Sequence, residues 1–359
     1  MRGIAPLLSG WIKELIDKTN KKSMNKLLSI VVPVYKVEQY IRKCLDSLIV
    51  ADELMDQLEV IVVNDGTPDR SAIIAKEYEK KYPQTFRVID KENGGHGSAF
   101  NTGLSNANGK YVRFLDSDDW LDKENLSKLM YLIGSSDIDL IINPLVYYHE
   151  NTGKTNQLSV SNIEYGKVYK TDSFDFIKAG NRPNLTIFHN CTYKTDLLKP
   201  YLPLFAEGCY YDDVVLWLAP IAISKNFVVN EYPIYYYRVD RPGQSISQEK
   251  LKQHIADHTT VNASCVHFFK KCPIQNELTR LYLRKVFSGM ITFQIENISR
   301  CGYQNSKRMY KEYLPILKEG EPYYDKKRRQ KVFETLPFPL AYVLYRVYDI
   351  VKFKDKILH

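Results

Sequence analysis

Six cysteines in 359 residues (Cys44, Cys191, Cys209, Cys265, Cys272, Cys301) show no CxxC spacing. They are scattered through a chain far larger than a disulfide-stapled miniprotein, so the expected home is a reducing cytoplasm. No uninterrupted apolar run reaches the roughly 18 residues of a spanning helix. The N-terminus lacks the apolar stretch and small-residue cleavage site of a signal peptide, so neither membrane crossing nor export is expected. GxGxxG and GxxxxGK[ST] are both missing, which removes the main support for dinucleotide and Walker-type readings. Neither an RNA-binding nor a helix-turn-helix signature accompanies the net charge of +8, so no nucleic-acid partner is expected. Anionic phosphates or an anionic membrane face would suit the same basic surface. No internal repeat or low-complexity stretch is visible, and a hydrophobic fraction of 44% suits a folded core.

What is present is alternation. From Leu27 onward, short β-branched apolar runs alternate with segments of helical period, which predicts a βαβ sheet with helices on its faces. Residues 27–35, 58–66, 86–92 and 110–119 read as four parallel strands, and 37–49, 71–82 and 98–107 as the helices between them, the second stopped by Pro83. Between 137 and 250, the strand-like runs DLIINPLVYY and FVVNEYPIYYYRV flank a helical run, YDDVVLWLAPIAIS, and are expected to extend the same sheet. Beyond about residue 250 the period is helical. Residues 1–23 stand apart: GWIKELIDKTNKK suits a short amphipathic helix, and MNKLLSIVVPVY makes Met24 the expected functional start.

In an open parallel sheet the ligand crevice lies beyond the carboxyl ends of the strands, where helix N-termini direct free N–H groups. The first strand ends at Pro33 and Tyr35, and the second at Asn64, Asp65 and Gly66. The third runs into NGGHG (93–97), and the fourth into Asp116, Ser117, Asp118 and Asp119. Three aspartates in DSDD repel one another unless a cation lies among them, and a divalent metal with open positions for phosphate oxygens answers that need. The bland alternative is an acidic turn with Asp118 or Asp119 capping the next helix. Flexible backbone in NGGHGSAFN can approach a phosphate or sugar closely, though it serves equally as a plain strand-to-helix connection. His96 by itself reads as a loop hydrogen-bonder rather than a ligand or base.

The blocks IVVPVYKVEQYIRKCLDSL, VIVVNDGTPDRS and NGGHGSAFNTGLSNANGKYVRFLDSDDWL resemble, in order, the family 2 glycosyltransferases of GT-A fold. The resemblance is close over 27–135 and looser over 185–247. It implies an α/β fold: a GT-A Rossmann-like, mainly parallel sheet with flanking helices, plus a C-terminal helical subdomain. The implied organisation is an extension (1–26), a catalytic domain (27–250) and a helical C-terminal region with an amphipathic tail (251–359). Within the catalytic domain, 27–135 would bind the nucleotide sugar and 136–250 would form the acceptor side. Implied too is inverting transfer from a UDP-sugar with Mn²⁺ or Mg²⁺.

By position, the resemblance places Pro33 and Tyr35 beside the uracil and Asp65 on its ring or ribose. Glu38 falls at the nucleoside edge, and Asn93, Gly95 and Asn101 line the donor pocket. Asp116 falls near the ribose and, with Asp118, forms the metal-binding DxD pair. The family's acidic pair appears here as Asp212 and Asp213, with Asp in place of the usual Glu. Asp213 is the expected base, because inversion needs a carboxylate opposite the leaving diphosphate; a helix N-terminal pair favoured by the macrodipole is the plain alternative. Arg241 and Ser245 match a loop closing over the donor, with Arg238 as a second candidate for offsetting diphosphate charge.

The tail LPFPLAYVLYRVYDIVKFKDK has the composition of a helix in a membrane interface, or of one packed on the domain. A membrane position would suit a lipid-linked saccharide acceptor; a free saccharide or glycoprotein glycan is also open. One rival is a sugar nucleotidyltransferase, which predicts a glycine-rich basic signature where this chain has VYKVEQY. Another is an inactive nucleotide-sugar or membrane-surface binding module, which predicts loss of Asp65, Asp116, Asp118 and Asp213, all of which are present.

Overall fold

A computed structural model describes residues 26–179, 186–241, 250, 253–326 and 328–357, with the side chains at 328–330 and 348–357 outside that description. The expected N-terminal helix, Met24 and Ser245 therefore lie outside the described residues.

Strands β1 (Leu28–Val34), β2 (Leu58–Asp65), β3 (Phe86–Lys91) and β4 (Tyr111–Phe114) run parallel in the spatial order β3-β2-β1-β4. β1 is buried along its whole length, as a central parallel strand covered on both faces must be. Its side chains alternate between two cores. Val31 joins Ile61, Val63 and Val112 on one face, and Leu28, Ile30 and Val32 join Val60 and Val62 on the other. The expected strand 110–119 stops at Phe114, so the acids lie past the strand end, in a turn leading to β5 (Trp120–Leu121).

The middle of the chain divides where a single extended sheet is expected. After β6 (Leu140–Ile142), β7 (Leu145–His149), β8 (Thr155–Leu158), β9 (Val168–Lys170), β10 (Cys191–Lys194), β11 (Asn226–Val229) and β12 (Tyr235–Val239), two sheets are complete. An eight-stranded sheet has the order β3-β2-β1-β4-β10-β6-β11-β9, and a four-stranded one the order β5-β12-β7-β8. In the larger sheet β9 and β10 oppose the other strands. Each of the two long runs is cut by a proline, Pro144 and Pro233, which cannot donate to a ladder. The first halves, β6 and β11, pair in the large sheet, whereas the second halves, β7 and β12, pair in the small one. The run expected to be one helix at 211–224 is likewise split, into a 3₁₀ segment (Asp212–Trp217) and a short helix (Ala219–Ile223) with Pro220 in its first turn.

One face of the large sheet carries α1 (Ile41–Asp46), α2 (Ser71–Lys81) and, after α3 (His96–Asn106) on the opposite face, α4 (Lys123–Ser135). The helices α5 (Asp257–Lys271), α6 (Glu277–Ser299), α7 (Tyr303–Gly320), α8 (Arg328–Thr335) and α9 (Phe338–Ile357) share one apolar core with α3 and its face of the sheet. All six cysteines are unpaired. Among the described residues no helix is long and apolar enough to cross a membrane.

α3 lies against β1 so closely that a Cβ on Gly103 would come within 2.0 Å of Val31 Cγ1. Alanine improves helix propensity by about 1 kcal/mol, but overpacking a rigid core costs about 1–3 kcal/mol. Gly103→Ala is therefore expected to lower the melting temperature by roughly 1–3 °C; an unchanged or higher value in a thermal scan would show that the helix can lift off the strand freely.

Candidate active site

The loop between β3 and α3 is tied to the end of β2. Asp65, 3% exposed, accepts from Lys91 Nζ (2.7 Å) and the Gly94 amide (2.9 Å) at Oδ1, and from the Gly95 amide (2.8 Å) at Oδ2. The Asn93 side chain donates to the Asp65 carbonyl at 2.9 Å. Three residues expected at the donor, Asp65, Asn93 and Gly95, thus form one anchor. Gly95 has φ +88°, which glycine adopts without strain. Gly97 makes a close approach: a Cβ there would sit 2.1 Å from the Ala206 carbonyl oxygen and 2.9 Å from Asp212 Oδ2. Its missing side chain lets the start of α3 meet the acidic segment.

Asn101 is committed elsewhere than an open donor pocket. Its amide donates to the Phe205 carbonyl and Glu207 Oε1 (2.9 Å each), and its oxygen accepts from the amides of Leu204 (2.9 Å) and Phe205 (3.0 Å). With both hydrogens and both acceptor directions used, it fastens the segment before Asp212 onto α3.

Asp116 lies at the centre of the cluster. His96 reaches it through Nε2 at 2.8 Å and reaches the two oxygens of Asp212 through Nδ1 at 2.9 and 3.1 Å. Burial alone would discharge this imidazole, but Asp212 and Asp116 outweigh it and raise its pKa well above the ordinary histidine value. With 39% of its side chain exposed, solvent screens part of that effect. Burial also pushes the Asp116 carboxyl upward, but hydrogen bonds from His189 and His96 hold it well below the usual carboxylate range. His189 Nε2 is 3.5 Å from Asp116 Oδ2, and its buried Nδ1 has no partner among the described residues.

The other two acids of DSDD face different ways. Asp118 pairs with Arg241, and burial and Asp116 raise its pKa. Asp119, 1% exposed, accepts from the Tyr235 hydroxyl and the Arg238 amide, each at 2.7 Å. Burial, Asp118 and Asp116 push its pKa far up. The next helix, α4, is capped by Asp122, whose Oδ1 accepts from the Asn125 amide at 2.9 Å. Capping therefore does not account for Asp118 or Asp119. Asp213, half-buried next to Asp212, has its pKa raised to about 6 by burial and by the Asp212 charge, against the opposing pull of His189 and His96.

Among the described residues one set of groups can take a metal: Asp116, Asp119 and His189, with ligand atoms within 4.8 Å of one another. Of the expected DxD pair, Asp116 belongs to this set, and Asp118 is engaged by Arg241 instead. Two hard carboxylates and one imidazole, its other nitrogen buried and unsatisfied, form a donor set that fits Mn²⁺ or Mg²⁺.

At the rim, Tyr35 is 43% exposed just past β1. Pro33 is buried within β1, and Glu38 accepts from the Arg70 amide at 3.1 Å while its own amide donates to Asp69. Arg238, expected as an alternative to Arg241, donates from Nε to the Asp118 carbonyl at 2.9 Å, pairs with Glu150 and lies over the rings of Tyr40 and Trp120. Arg113, which no motif in the sequence marks, is a fully buried guanidinium whose pKa burial lowers to about 10. It donates to Thr192 Oγ1 (2.8 Å) and to the carbonyls of His189 (2.6 Å) and Cys191 (3.3 Å), which secures the segment carrying His189. A charged residue inside an otherwise apolar strand was the available signal for it.

The glycosyl transferase family 2 model matches residues 29–199. The minor teichoic acid biosynthesis protein GgaB of Bacillus subtilis is 28% identical over 85% of this chain, which spans about a third (33%) of that protein's length. The uncharacterized glycosyltransferase MG025 of Mycoplasma genitalium is 35% identical, over 61% of this chain and 70% of its own. The crystal structure of Staphylococcus aureus TarS 1-349 in complex with UDP-GlcNAc superposes with a TM-score of 0.63 at 20% identity, covering 81% of each chain, and so shares the fold. With acids gathered at the carboxyl end of this sheet and a relative matched over most of its length, the chain belongs to glycosyl transferase family 2.

Proposed function

We propose that this chain transfers a sugar from a UDP-sugar to an acceptor hydroxyl with inversion at the anomeric carbon. The observation that carries the reading is the Asp213 carboxyl, raised to about 6 and adjoining Asp212, which His96 links to Asp116 at the metal-capable cluster. A base with that pKa is ionised at neutral pH yet accepts a proton readily. Asp213 takes the acceptor proton as the acceptor oxygen attacks the anomeric carbon and the bond to the diphosphate breaks, and Asp212, fixed by His96, makes its neighbour more basic. Residues 27–135 bind the nucleotide sugar and 136–250 form the acceptor side.

On the donor side Asp116, Asp119 and His189 would hold a divalent cation, joined by Asp118 after its release from Arg241. When bound, that ion neutralises charge on the departing diphosphate. Arg241, once released, and Arg238 supply further positive charge there. Tyr35, exposed beyond β1, offers a face to the uracil. Support for UDP as the nucleotide comes from the TarS complex with UDP-GlcNAc, and for a saccharide-bearing acceptor from the teichoic acid role in the name of GgaB. A lipid-linked saccharide or a glycoprotein glycan fits the same chemistry.

The test is UDP release from a panel of UDP-sugars, with Mn²⁺ or with EDTA. Metal-dependent release from one donor is expected, and release unaffected by EDTA would remove the metal from the reading. Asp213→Asn should lower kcat by roughly 10²–10⁴-fold with UDP affinity unchanged. Because the base acts deprotonated, wild-type kcat should fall as pH drops through about 6 and stay flat above; full turnover in the variant would move the base to Asp212. Asp118→Asn should weaken UDP binding in the presence of Mn²⁺ and leave metal-free binding nearly unchanged, as read by calorimetry. Equal affinity with the metal in both proteins would exclude Asp118 as a ligand.

A further inference from the structure

Helix α9 packs by one face only. Ala341 and Tyr345 are buried, and Phe338, Tyr342 and Tyr345 meet Tyr303, Tyr310 and Phe333 at ring-centroid separations of 5.4–5.9 Å. On the outer face Leu340, Val343, Leu344 and Val347 are 49%, 55%, 46% and 54% exposed. Their spacing of i, i+3, i+4 and i+7 makes one aliphatic stripe along the helix. Single exposed aliphatic residues are ordinary, whereas four adjoining ones on one helix face mark a contact surface.

Charge identifies what the surface meets. Residues 326–359 carry nine Lys and Arg against three Asp and Glu, six of the eight net positive charges of the chain. Eight of the nine bracket the stripe in sequence, Lys326, Lys327, Arg328, Arg329 and Lys331 before it and Lys352, Lys354 and Lys356 after it, while Arg346 lies within it; Lys326 is paired with Glu321 and Glu334. A second copy of this chain would bring two such basic segments together, which like-charge repulsion opposes. An anionic bilayer offers apolar depth for the stripe and negative headgroups for its flanks. We infer that α9 docks the protein on an anionic lipid surface, lying in the plane of the interface with Leu340, Val343, Leu344 and Val347 immersed. The inference is independent of the transfer reaction.

The test is co-sedimentation of the full chain with vesicles of phosphatidylglycerol and phosphatidylcholine in equal parts, against phosphatidylcholine alone. Binding is expected to the anionic vesicles, to weaken with salt, and to be slight on the neutral ones. Replacing Leu340, Val343, Leu344 and Val347 together by Ser should lower partitioning by roughly tenfold or more with an unchanged melting temperature, because the packed face is untouched. Should that variant fold poorly, Lys352→Glu with Lys354→Glu and Lys356→Glu leaves the stripe in place and should abolish the preference for anionic vesicles. Failure of the wild-type chain to sediment, or equal binding by the variants, would overturn the inference. So would stripe-dependent dimerisation in light scattering without vesicle binding, which would assign the stripe to a second copy.

Discussion

Asp116, Asp118, Asp119, Asp212 and Asp213 are gathered at one end of the sheet, partly out of water, and the rest of the site is arranged around their charge. Two like charges about 4 Å apart repel by roughly 4 kcal/mol at an effective dielectric near 20. A few such pairs left uncompensated would rival the 5–15 kcal/mol or so that holds a domain folded. Four of the five acids therefore have their own relief. His96 bridges Asp116 and Asp212, Arg241 pairs with Asp118, and Tyr235 and the Arg238 amide satisfy Asp119. Asp213 has no partner of its own among these contacts, and its pKa rises to about 6. The residue proposed as the base is the one that no ion pair or hydrogen bond among these contacts engages.

That arrangement depends on segments far apart in the chain being brought together. The DSDD turn follows β4, His96 opens α3, His189 precedes β10, and Arg238 lies on β12 of the second sheet. Asn101 and Gly97 lock the segment before Asp212 onto α3, one through four hydrogen bonds and the other through its missing side chain. Arg113, sealed in the large sheet, secures the His189 segment from behind. The helices from α5 onward share their apolar core with α3, so the C-terminal region supports the same helix whose first residue is His96.

Local periodicity made the first four strands and their helices legible, because each is specified by its own apolar spacing. The acids and the glycine loop were legible as a group, since strand ends can be counted along the sequence. Partnership was not legible where it is long-range. His96 reads as a loop hydrogen-bonder until Asp212, 116 positions away, is placed beside it, and Asn101 reads as a pocket residue until its partners 103–106 positions on are seen. Pro144 and Pro233 were visible as breaks, but which half of each run joins which sheet depends on pairings between β6 and β11 and between β7 and β12. Neighbours such as Asp118 and Asp119 differ in partner because the turn directs them to Arg241 and to Tyr235 respectively.

The central claim is that this acid cluster is completed by a cation and a nucleoside diphosphate together. The most direct measurement is the melting temperature with UDP, with Mn²⁺, and with both. A ligand pair that binds the folded state at about a hundredfold excess over its Kd should raise it by roughly 3–4 °C. The account predicts that rise for UDP and Mn²⁺ together and a clearly smaller one for either alone. A temperature indifferent to the combination, or a full shift from UDP in the presence of EDTA, would contradict it.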